Sequence, residues 1–503
     1  MINLASKQMA VKRTVYGSGG VAQEFVEKEA IQNELVEQVL RLAPYDGVPI
    51  NKYTLLDDCY RASGGFETGA YVIPHPRETY DKYTRRKQLS YYVNYTKPIV
   101  DAHVNPIFKT EPVRQNMSNT YQLFVKDVDG NHTSLTRFMK KTAIKAKLHG
   151  VEFIVMDMDV VDDNELVTEE DIVDRRLYPY LYTISPNQVN NWATDKFGRL
   201  ISISYTLTNK VVGKDGNIET VSEVWTWTET VCKKSINGVE VKFKNNIGRI
   251  PVIPVYGVIN ATDELIPQSD LYGIARTSLA LYNCLSELRE RNRNQAFSIL
   301  TYPVAEDDDY ESGDLSLQVG VNDMLLFRAG SQSPEYITPP VDSSNMLENE
   351  IKLMIQEIYR QANMQFVTEQ KISNISGLYQ KWANLQLFQT ISELTEGLQN
   401  VEKILVKMFS SFMNEDMPEF SVTYNHEYGV SDITETLANA TAVLAMNICE
   451  GLNYETKRKV INAMLSDVDS SVVNKILDDL AKSADKGAPV DVSQVSVTQP
   501  LGS

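Results

Sequence analysis

The segment from Ser269 to Ser376 limits the possible folds more than any other part of the chain. It reads as a helix, a β-rich insert, a second helix and a polar loop. The first helix opens after Pro267 with Ser269 and Asp270 as cap candidates, and the second begins in the Ser343–Asn345 cluster. Between them, about 299–340, short strand-like runs are separated by Gly, Asp and Pro. A close pair of helices joined in this way must lie roughly antiparallel.

Each of these two helices carries one narrow apolar stripe at helical spacing. Such stripes suit packing against neighbouring elements, including copies of the same chain in other subunits. The spacing alone favours an ordinary α+β domain with an interrupted helical hairpin. The stripes are Leu271, Ile274, Leu281, Leu285 and Leu288 on the first helix, and Met346, Ile351, Met354, Ile355, Ile358, Tyr359 and Ala362 on the second.

Composition restricts the class of protein. The 503 residues are enough for two to four domains with cores of their own, and 43% hydrophobic with 23% charged residues is ordinary for a globular protein. A formal charge of −17 argues against a protein that holds nucleic acid on a net basic surface. Four widely spaced cysteines form no CxxC motif, which suits a reducing cytoplasm. No window approaches 18 uninterrupted apolar residues, so the sequence predicts no membrane span.

Helices and strands are predicted along the whole chain. Asn237-Gly238 is a strong hairpin turn, and an uncapped apolar repeat over 378–412 predicts a helix of some 35 residues. The basic run Arg85–Lys87 favours an amphipathic helix with solvated cations over a nucleic-acid patch. Helices are also expected at 21–42, 53–62, 77–95, from Pro98, 133–148, 433–449, 454–465 and 470–482, and strands at 151–157, 178–184, 200–206, 221–228, 230–233, 239–243, 299–304, 315–319, 324–327, 336–338 and 420–424.

A search for catalytic chemistry returns almost nothing. The chain has no P-loop, HExxH or GxSxG motif, and its five histidines are scattered. The acidic stretch 157–174 lacks the central Gly of a calcium loop. We therefore predict no enzyme, no cofactor and no metal site. The alternative is a metal-dependent, nuclease-like enzyme that uses the 157–174 carboxylates.

The order of segments resembles the portal proteins of tailed bacteriophages. No single motif is diagnostic, but order and spacing together cover roughly residues 20–480. Four stretches carry the resemblance: Tyr71–Phe108 with YYVNYT and PIFKTEP; His149–Asp157 followed by Pro186–Trp192; Gly248–Pro254 leading into the Leu271 helix; and Ser376–Leu378 with Gly451–Lys457.

The resemblance implies an α+β portal-type subunit with a mixed α/β wing, a two-helix stem, a small β-rich clip, a long kinked helix and a helical C-terminal crown. The implied divisions are an N-terminal arm (1–20), wing (21–267), stem helix 1 (268–298), clip (299–342), stem helix 2 (343–362), tunnel loop (363–376), long wing helix with a short strand (377–429), crown (430–483) and a disordered tail (484–503).

The family's function follows as an expectation. Such subunits form a ring, usually a dodecamer, at the capsid vertex of the virion, after assembly in the host cytoplasm. The ring is the channel for packaging and ejection of double-stranded DNA. Its partners are terminase, the capsid or scaffolding protein, and a head–tail adaptor or tail protein, with no membrane involved. Another ring-forming head–tail connector is the second alternative.

Two sets of residues are candidate functional sites under this resemblance. Arg289, Arg291 and Arg293 lie near the predicted junction of stem and clip, where the resemblance implies intersubunit ion pairs. Solvated charges at the end of the helix fit the sequence equally well. The tunnel-loop candidates facing DNA are Gln365, Gln370, Lys371 and Asn374, and the intersubunit candidates are Arg289, Arg291, Arg293, Glu348 and Glu350.

Overall fold

The computed structural model describes sixteen continuous stretches and one further residue of the chain. They are 50–76, 78–158, 171–172, 175–212, 217–236, 238–245, 247–259, 264–295, 299–301, 335–337, 342–365, 384–426, 428 and 433–465, with 472–473, 475–477 and 479–480. The predicted arm and helix before residue 50, the 315–319 and 324–327 strands, most of the acidic stretch and the tail after 483 lie outside these residues.

The fold is mixed α and β, as predicted. The described helices are α1 (Lys52–Arg61), α2 (Gly65–Thr68), α3 (Tyr80–Leu89), α4 (Thr96–Val104), α5 (Asn119–Lys126), α6 (Leu135–His149), α7 (Leu271–Gln295), α8 (Asp342–Gln361), α9 (Leu385–Met413), α10 (Ile433–Met446) and α11 (Glu450–Met464). Two short 3-10 helices span Asn105–Phe108 and Pro186–Gln188. Within the described stretches no helix has the length and apolar character needed to cross a membrane.

Every sheet pairing in the described residues is antiparallel. The strands are β1 (Val113–Gln115), β2 (Val151–Asp157), β3 (Tyr180–Ile184), β4 (Val189–Thr194), β5 (Leu200–Val212), β6 (Ile218–Thr228), β7 (Val231–Ile236), β8 (Val239–Lys244), β9 (Val252–Tyr256), β10 (Ile299–Thr301), β11 (Glu335–Ile337) and β12 (Ser421–Thr423). They pair as a five-stranded sheet in the order 4-5-6-7-8, a three-stranded sheet in the order 3-2-9, and the ladders β1–β12 and β10–β11.

The chain divides into two units, each built from two separate segments. Unit 1 comprises Met1–Ile99 and Gln268–Ser376, and unit 2 comprises Val100–Pro267 and Gly377–Ser503. In unit 2 a cluster of buried apolar residues joins the 3-2-9 sheet to strands β5, β6 and β7 of the five-stranded sheet. Phe153 and Val155 of β2 meet Ile203, Tyr205 and Trp227 there, all of them buried. Strand β2 is buried on both faces, and this explains why its residues are almost continuously apolar and do not alternate with polar ones.

The local signals for α6 are confirmed. The Ser134 hydroxyl accepts a hydrogen bond from the Arg137 amide and so caps the helix. At the other end Gly150 has φ +92°, a conformation that suits glycine, and its amide bonds to the Ala146 carbonyl. Strand β2 begins at the next residue, as predicted.

The helix predicted over 77–95 is wrong at both ends. Helix α3 covers only Tyr80–Leu89, and residues 90–95 form neither helix nor strand. This segment is anchored by hydrogen bonds from the Tyr92 hydroxyl to the Cys59 carbonyl (3.2 Å) and from the Asn94 side-chain amide to the Tyr60 carbonyl (2.9 Å). Tertiary contacts therefore override helical spacing here.

The prediction of solvated cations on α3 is also wrong in one position. Arg86 is 3% exposed. Its guanidinium pairs with the Glu78 carboxylate (2.7 Å) and donates to the Ser286 hydroxyl (2.9 Å). A buried guanidinium needs both an anion and further acceptors, and all of them come from unit 1.

Candidate functional site: the helical hairpin

Helices α7 and α8 form the antiparallel hairpin that the sequence predicts. Gly273 near the start of α7 lies against Gln361 at the end of α8, because a methyl group on Gly273 would come within 2.7 Å of Gln361 Oε1. The Ser269 hydroxyl caps α7 through the Leu271 amide (3.1 Å). At 1.5 Å per residue the two helices are about 37 and 30 Å long. The β10–β11 ladder continues the antiparallel arrangement beyond their far end.

The Asn283 side chain attaches helix α7 to the N-terminal segment of unit 1. It pairs with a backbone N–H and a backbone C=O of residues 71–73, as a neighbouring β-strand would. Asn283 Oδ1 accepts from the Ile73 amide (2.8 Å), and Asn283 Nδ2 donates to the Tyr71 carbonyl (3.0 Å). One amide side chain thus satisfies a donor and an acceptor of the same extended backbone. Sequence reasoning missed this role, since nothing near Asn283 indicates a partner 210 residues away.

The hairpin leaves one face of α8 uncovered within the described subunit. Met346 is 73% exposed and Leu353 is 62% exposed. Glu350 lies between Met346 and Leu353, and Glu357 follows Leu353. The four residues are separated by four, three and four positions, and both glutamates are also exposed. Successive residues at this spacing share one helix face. The exposed face therefore alternates apolar and acidic side chains.

The sequence predicts Met346 in the packed stripe of α8, and this prediction is wrong. The buried stripe is Ile351, Ile358 and Ala362, at 8%, 0% and 3% exposure. Met346 belongs instead with Leu353, seven residues later and two turns away on the same face. The seven-residue spacing of Met346 and Leu353 is the sequence signal for this second face. Leu353 is not among the predicted stripe residues because it lies off the dominant apolar stripe.

The predicted intersubunit residues lie at one end of the hairpin. Arg289 and Arg293 are exposed, Arg291 is half-buried, and Glu348 and Glu350 are exposed. Because the helices are antiparallel, the late residues of α7 and the early residues of α8 occupy the same end. Among the residues that the structure describes, none of these five side chains forms an ion pair. The guanidinium carbon of Arg289 lies 5.2 Å from the centre of the Tyr91 ring.

The two helices carry opposite net charge. Helix α7 has four arginines and two glutamates, a net charge of +2, whereas α8 has four acidic and two basic residues, a net charge of −2. Burial, together with the Glu350 and Glu287 carboxylates, raises the pKa of the Cys284 thiol on α7 to about 11. The Cys284 thiol is therefore protonated at neutral pH, which makes it a poor nucleophile.

The predicted tunnel loop is described only at its start. Gln365 follows α8 and is exposed, while Gln370, Lys371 and Asn374 lie outside the described residues. The acidic stretch is represented mainly by Asp157 and Asp171, and the described residues contain no cluster of three or more His, Cys, Asp or Glu that could hold a metal ion.

Comparison with solved structures gives likenesses of fold, and two of them come from gene transfer agent particles. No family model and no curated protein matches the sequence. A chain from the virion of a native gene transfer agent particle is similar over 82% of this chain and 94% of its own length, with 11% identity and a TM-score of 0.41. A chain from the neck of an empty gene transfer agent particle is similar over 73% and 90%, with 10% identity and a TM-score of 0.43.

Proposed function

We propose that the chain is a portal-type subunit of a virion, which forms an oligomeric ring, dodecameric as in the family it resembles. The ring would serve as the channel for packaging and ejection of double-stranded DNA and as the docking site for terminase and tail or adaptor proteins. The proposal combines the order of sequence segments with one structural observation, the unpaired charges and exposed apolar residues of the helical hairpin.

The hairpin has the properties of a heterologous, head-to-tail interface. Its α7 side offers Arg289 and Arg293, which are exposed and form no ion pair within the described residues, and its α8 side offers Met346, Glu350 and Leu353. Because α7 is net positive and α8 is net negative, α7 of one copy would attract α8 of the next. When every copy makes this contact and the set closes on itself, the assembly is a ring. The apolar pair on α8 would be covered in the same contact.

Helices α10 and α11 add a second surface that suits self-association. The exposed apolar side chains of these helices and of the short connection between them include Leu437, Met446, Ile448, Leu452 and Met464, at 39–69% exposure. A surface of this composition on an acidic chain is typical of a protein interface. In the portal interpretation these helices form the crown, where neighbouring copies cover each other.

Negative-stain electron microscopy with native mass spectrometry tests the ring. We expect the unaltered protein to form rings with a hole wide enough for duplex DNA. The double variant Arg289→Glu/Arg293→Glu should lose rings because like charges then face Glu348 and Glu350 of the next copy. Adding Glu348→Arg/Glu350→Arg should restore them by exchanging the signs.

A matched control is the variant Lys242→Glu/Lys244→Glu on β8. Both lysines are exposed and have no ion pair in the described residues, so the net charge changes equally and rings should persist. Loss of rings in the control would show that total charge, and not the hairpin, governs assembly. An unaltered protein that stays monomeric would contradict the proposal and favour the metal-dependent enzyme, to be screened with divalent ions on DNA.

The tunnel-loop assignment is a separate proposal with its own test. Lys371, in the polar loop after α8, would make light contacts with the phosphates of passing DNA. The variant Lys371→Ala should release packaged DNA more readily than the unaltered ring does. Unchanged DNA retention would contradict a channel-facing Lys371 and leave the ring proposal untouched.

A further inference from the structure

Unit 2 contains a cleft of about 500 Å³ beside the C-terminal half of α9. One wall is a single face of that helix, because Lys403, Lys407, Ser410 and Asn414 follow each other at spacings of three and four residues. Arg249, from the loop between β8 and β9, also lines it. The turn after the helix closes the cleft with Met417, Pro418 and Phe420.

Three cations of this cleft have no anionic partner. Among the described residues, Arg249, Lys403 and Lys407 form no ion pair, and all three are exposed. Lys403 and Lys407 are the only basic residues in the 29-residue helix α9, so both of its cations fall on the cleft wall. In a chain with a net charge of −17 this is a local excess of positive charge.

The carboxylates at the cleft reduce this excess without cancelling it. Both oxygens of Glu415 accept hydrogen bonds from hydroxyl groups of the α5 cap region, from Ser118 at 2.7 Å and from Thr120 at 2.8 Å. Asp416 is exposed. Three cations against two carboxylates leave a charge of +1, and the hydroxyls of Ser410 and Ser411 add polar groups to the same lining.

We propose that this cleft binds the sugar–phosphate backbone of nucleic acid. Lysines, arginines and serine hydroxyls are the side chains that contact phosphate oxygens in protein–DNA complexes. Lysines one helical turn apart can reach successive phosphates of a strand, while the apolar turn at Met417 and Pro418 suits the sugar. The cleft lies within one unit of one chain, so the proposal is independent of the ring.

Fluorescence anisotropy of a short labelled DNA duplex, measured at salt concentrations between about 50 and 200 mM, tests the cleft through its salt dependence. The variant Lys403→Ala/Lys407→Ala should weaken binding by at least about tenfold, because the loss of a single hydrogen bond to a charged group already has an effect of that size. Arg249→Ala should act in the same direction. The logarithmic salt slope should fall by about 1 for each cation that contacts a phosphate.

Two comparisons decide whether the binding belongs to the cleft and whether the ligand is phosphate. Lys242→Ala/Lys244→Ala removes the same charge from β8 of the same unit and should leave affinity and salt slope unchanged. Poly-glutamate should compete much less well than unlabelled DNA. Equal losses in the cleft and control variants, equal competition by poly-glutamate, or absence of DNA binding by the folded protein would each overturn the proposal. Native mass spectrometry in the same buffer records assembly separately, so a failure of the ring is distinguished from a failure of the cleft.

Discussion

The guanidinium of Arg114 on β1 forms a buried ion pair with the carboxylate of Glu402 on α9. The two side chains are 4% and 0% exposed, and Arg114 Nη2 lies 3.2 Å from Glu402 Oε2. The Tyr424 hydroxyl donates to the same oxygen (2.7 Å), and Arg114 Nη1 donates to the Thr136 hydroxyl (3.0 Å). Burial opposes the charge on Arg114, but Glu402 raises the pKa of the guanidinium above its usual value.

Removal of one partner of this pair should be strongly destabilising. We expect Arg114→Met to lower the free energy of unfolding by about 3–5 kcal/mol, because Glu402 then keeps a buried charge without its cation. The double variant Arg114→Met/Glu402→Leu should recover much of this loss. Denaturant titration measures all three proteins, and Arg458→Met, which breaks the exposed pair with Glu455, should change little. A double variant as unstable as the single one would contradict this account.

The strand-like role of Asn283 predicts a difference between two substitutions. Asn283→Leu leaves the Ile73 amide and the Tyr71 carbonyl without partners, at a cost of about 1–3 kcal/mol for each buried group. Asn283→Asp keeps the acceptor for Ile73 but turns a buried carboxylate oxygen toward the Tyr71 and Leu279 carbonyls, so at neutral pH its thermal stability should be lower than that of Asn283→Leu. Asn292→Leu, at an exposed position of the same helix, is the control. Equal melting temperatures for the Leu and Asp variants at 283 would refute the pairing.

The depressed pKa of Glu78 leads us to expect a loss of folding stability in acid. Burial opposes its ionisation, but hydrogen bonds from Arg86 and the His75 amide hold its pKa below the usual 4.5. A carboxyl group with a depressed folded-state pKa contributes stability above its unfolded pKa, and the contribution is lost as pH falls through the folded value. Urea unfolding between about pH 6 and pH 3 should therefore show a steeper decline for the unaltered protein than for Glu78→Gln. Glu67→Gln, at an exposed glutamate of α2, should retain the steep decline; a parallel decline in Glu78→Gln would contradict the assignment.

Two glycines should respond to alanine in opposite directions. A Cβ on Gly257 would overlap the backbone carbonyl of Ala146, so Gly257→Ala should cost about 1–3 kcal/mol through overpacking. A Cβ on Gly397, within α9, meets nothing within 4 Å. Gly397→Ala should therefore stabilise the protein by about 0.5–1 kcal/mol through higher helix propensity. Thermal unfolding compares both variants, and a stabilising Gly257→Ala would show that the β9 connection can move away from α6.

Elements with strong local signals could be predicted from the sequence. The Ser134 cap, the Gly150 end of α6 and the pairing of β7 with β8 are predicted from neighbouring residues, and the structure confirms each. Strand β9 was missed because Pro254 lies inside it and proline normally argues against a strand. It is tolerated there because β9 is at the edge of its sheet, where Pro254 faces Phe153 in the register.

The hairpin site was predictable only in part. Its antiparallel course follows from the helix–insert–helix order, and the exposed arginines follow from the polar end of α7. The burial of Arg86 was not predictable, because its partner Ser286 is 200 residues distant. The exposed face of α8 was not predictable for another reason. Apolar residues that contact another subunit repeat along a helix with the same period as apolar residues that pack in the core, so the period does not distinguish them.

The divided construction of unit 1 has a consequence for biosynthesis. The ribosome completes the Tyr71–Ile73 backbone and Arg86 long before it makes Asn283 and Ser286, the residues that satisfy them. In between it must synthesise the whole of residues 100–267, which belong to the other unit. The nascent chain therefore carries an unfinished polar and aromatic surface through much of translation, a state that chaperones recognise and that slow non-local contacts prolong. A product truncated before residue 268 would retain that surface permanently.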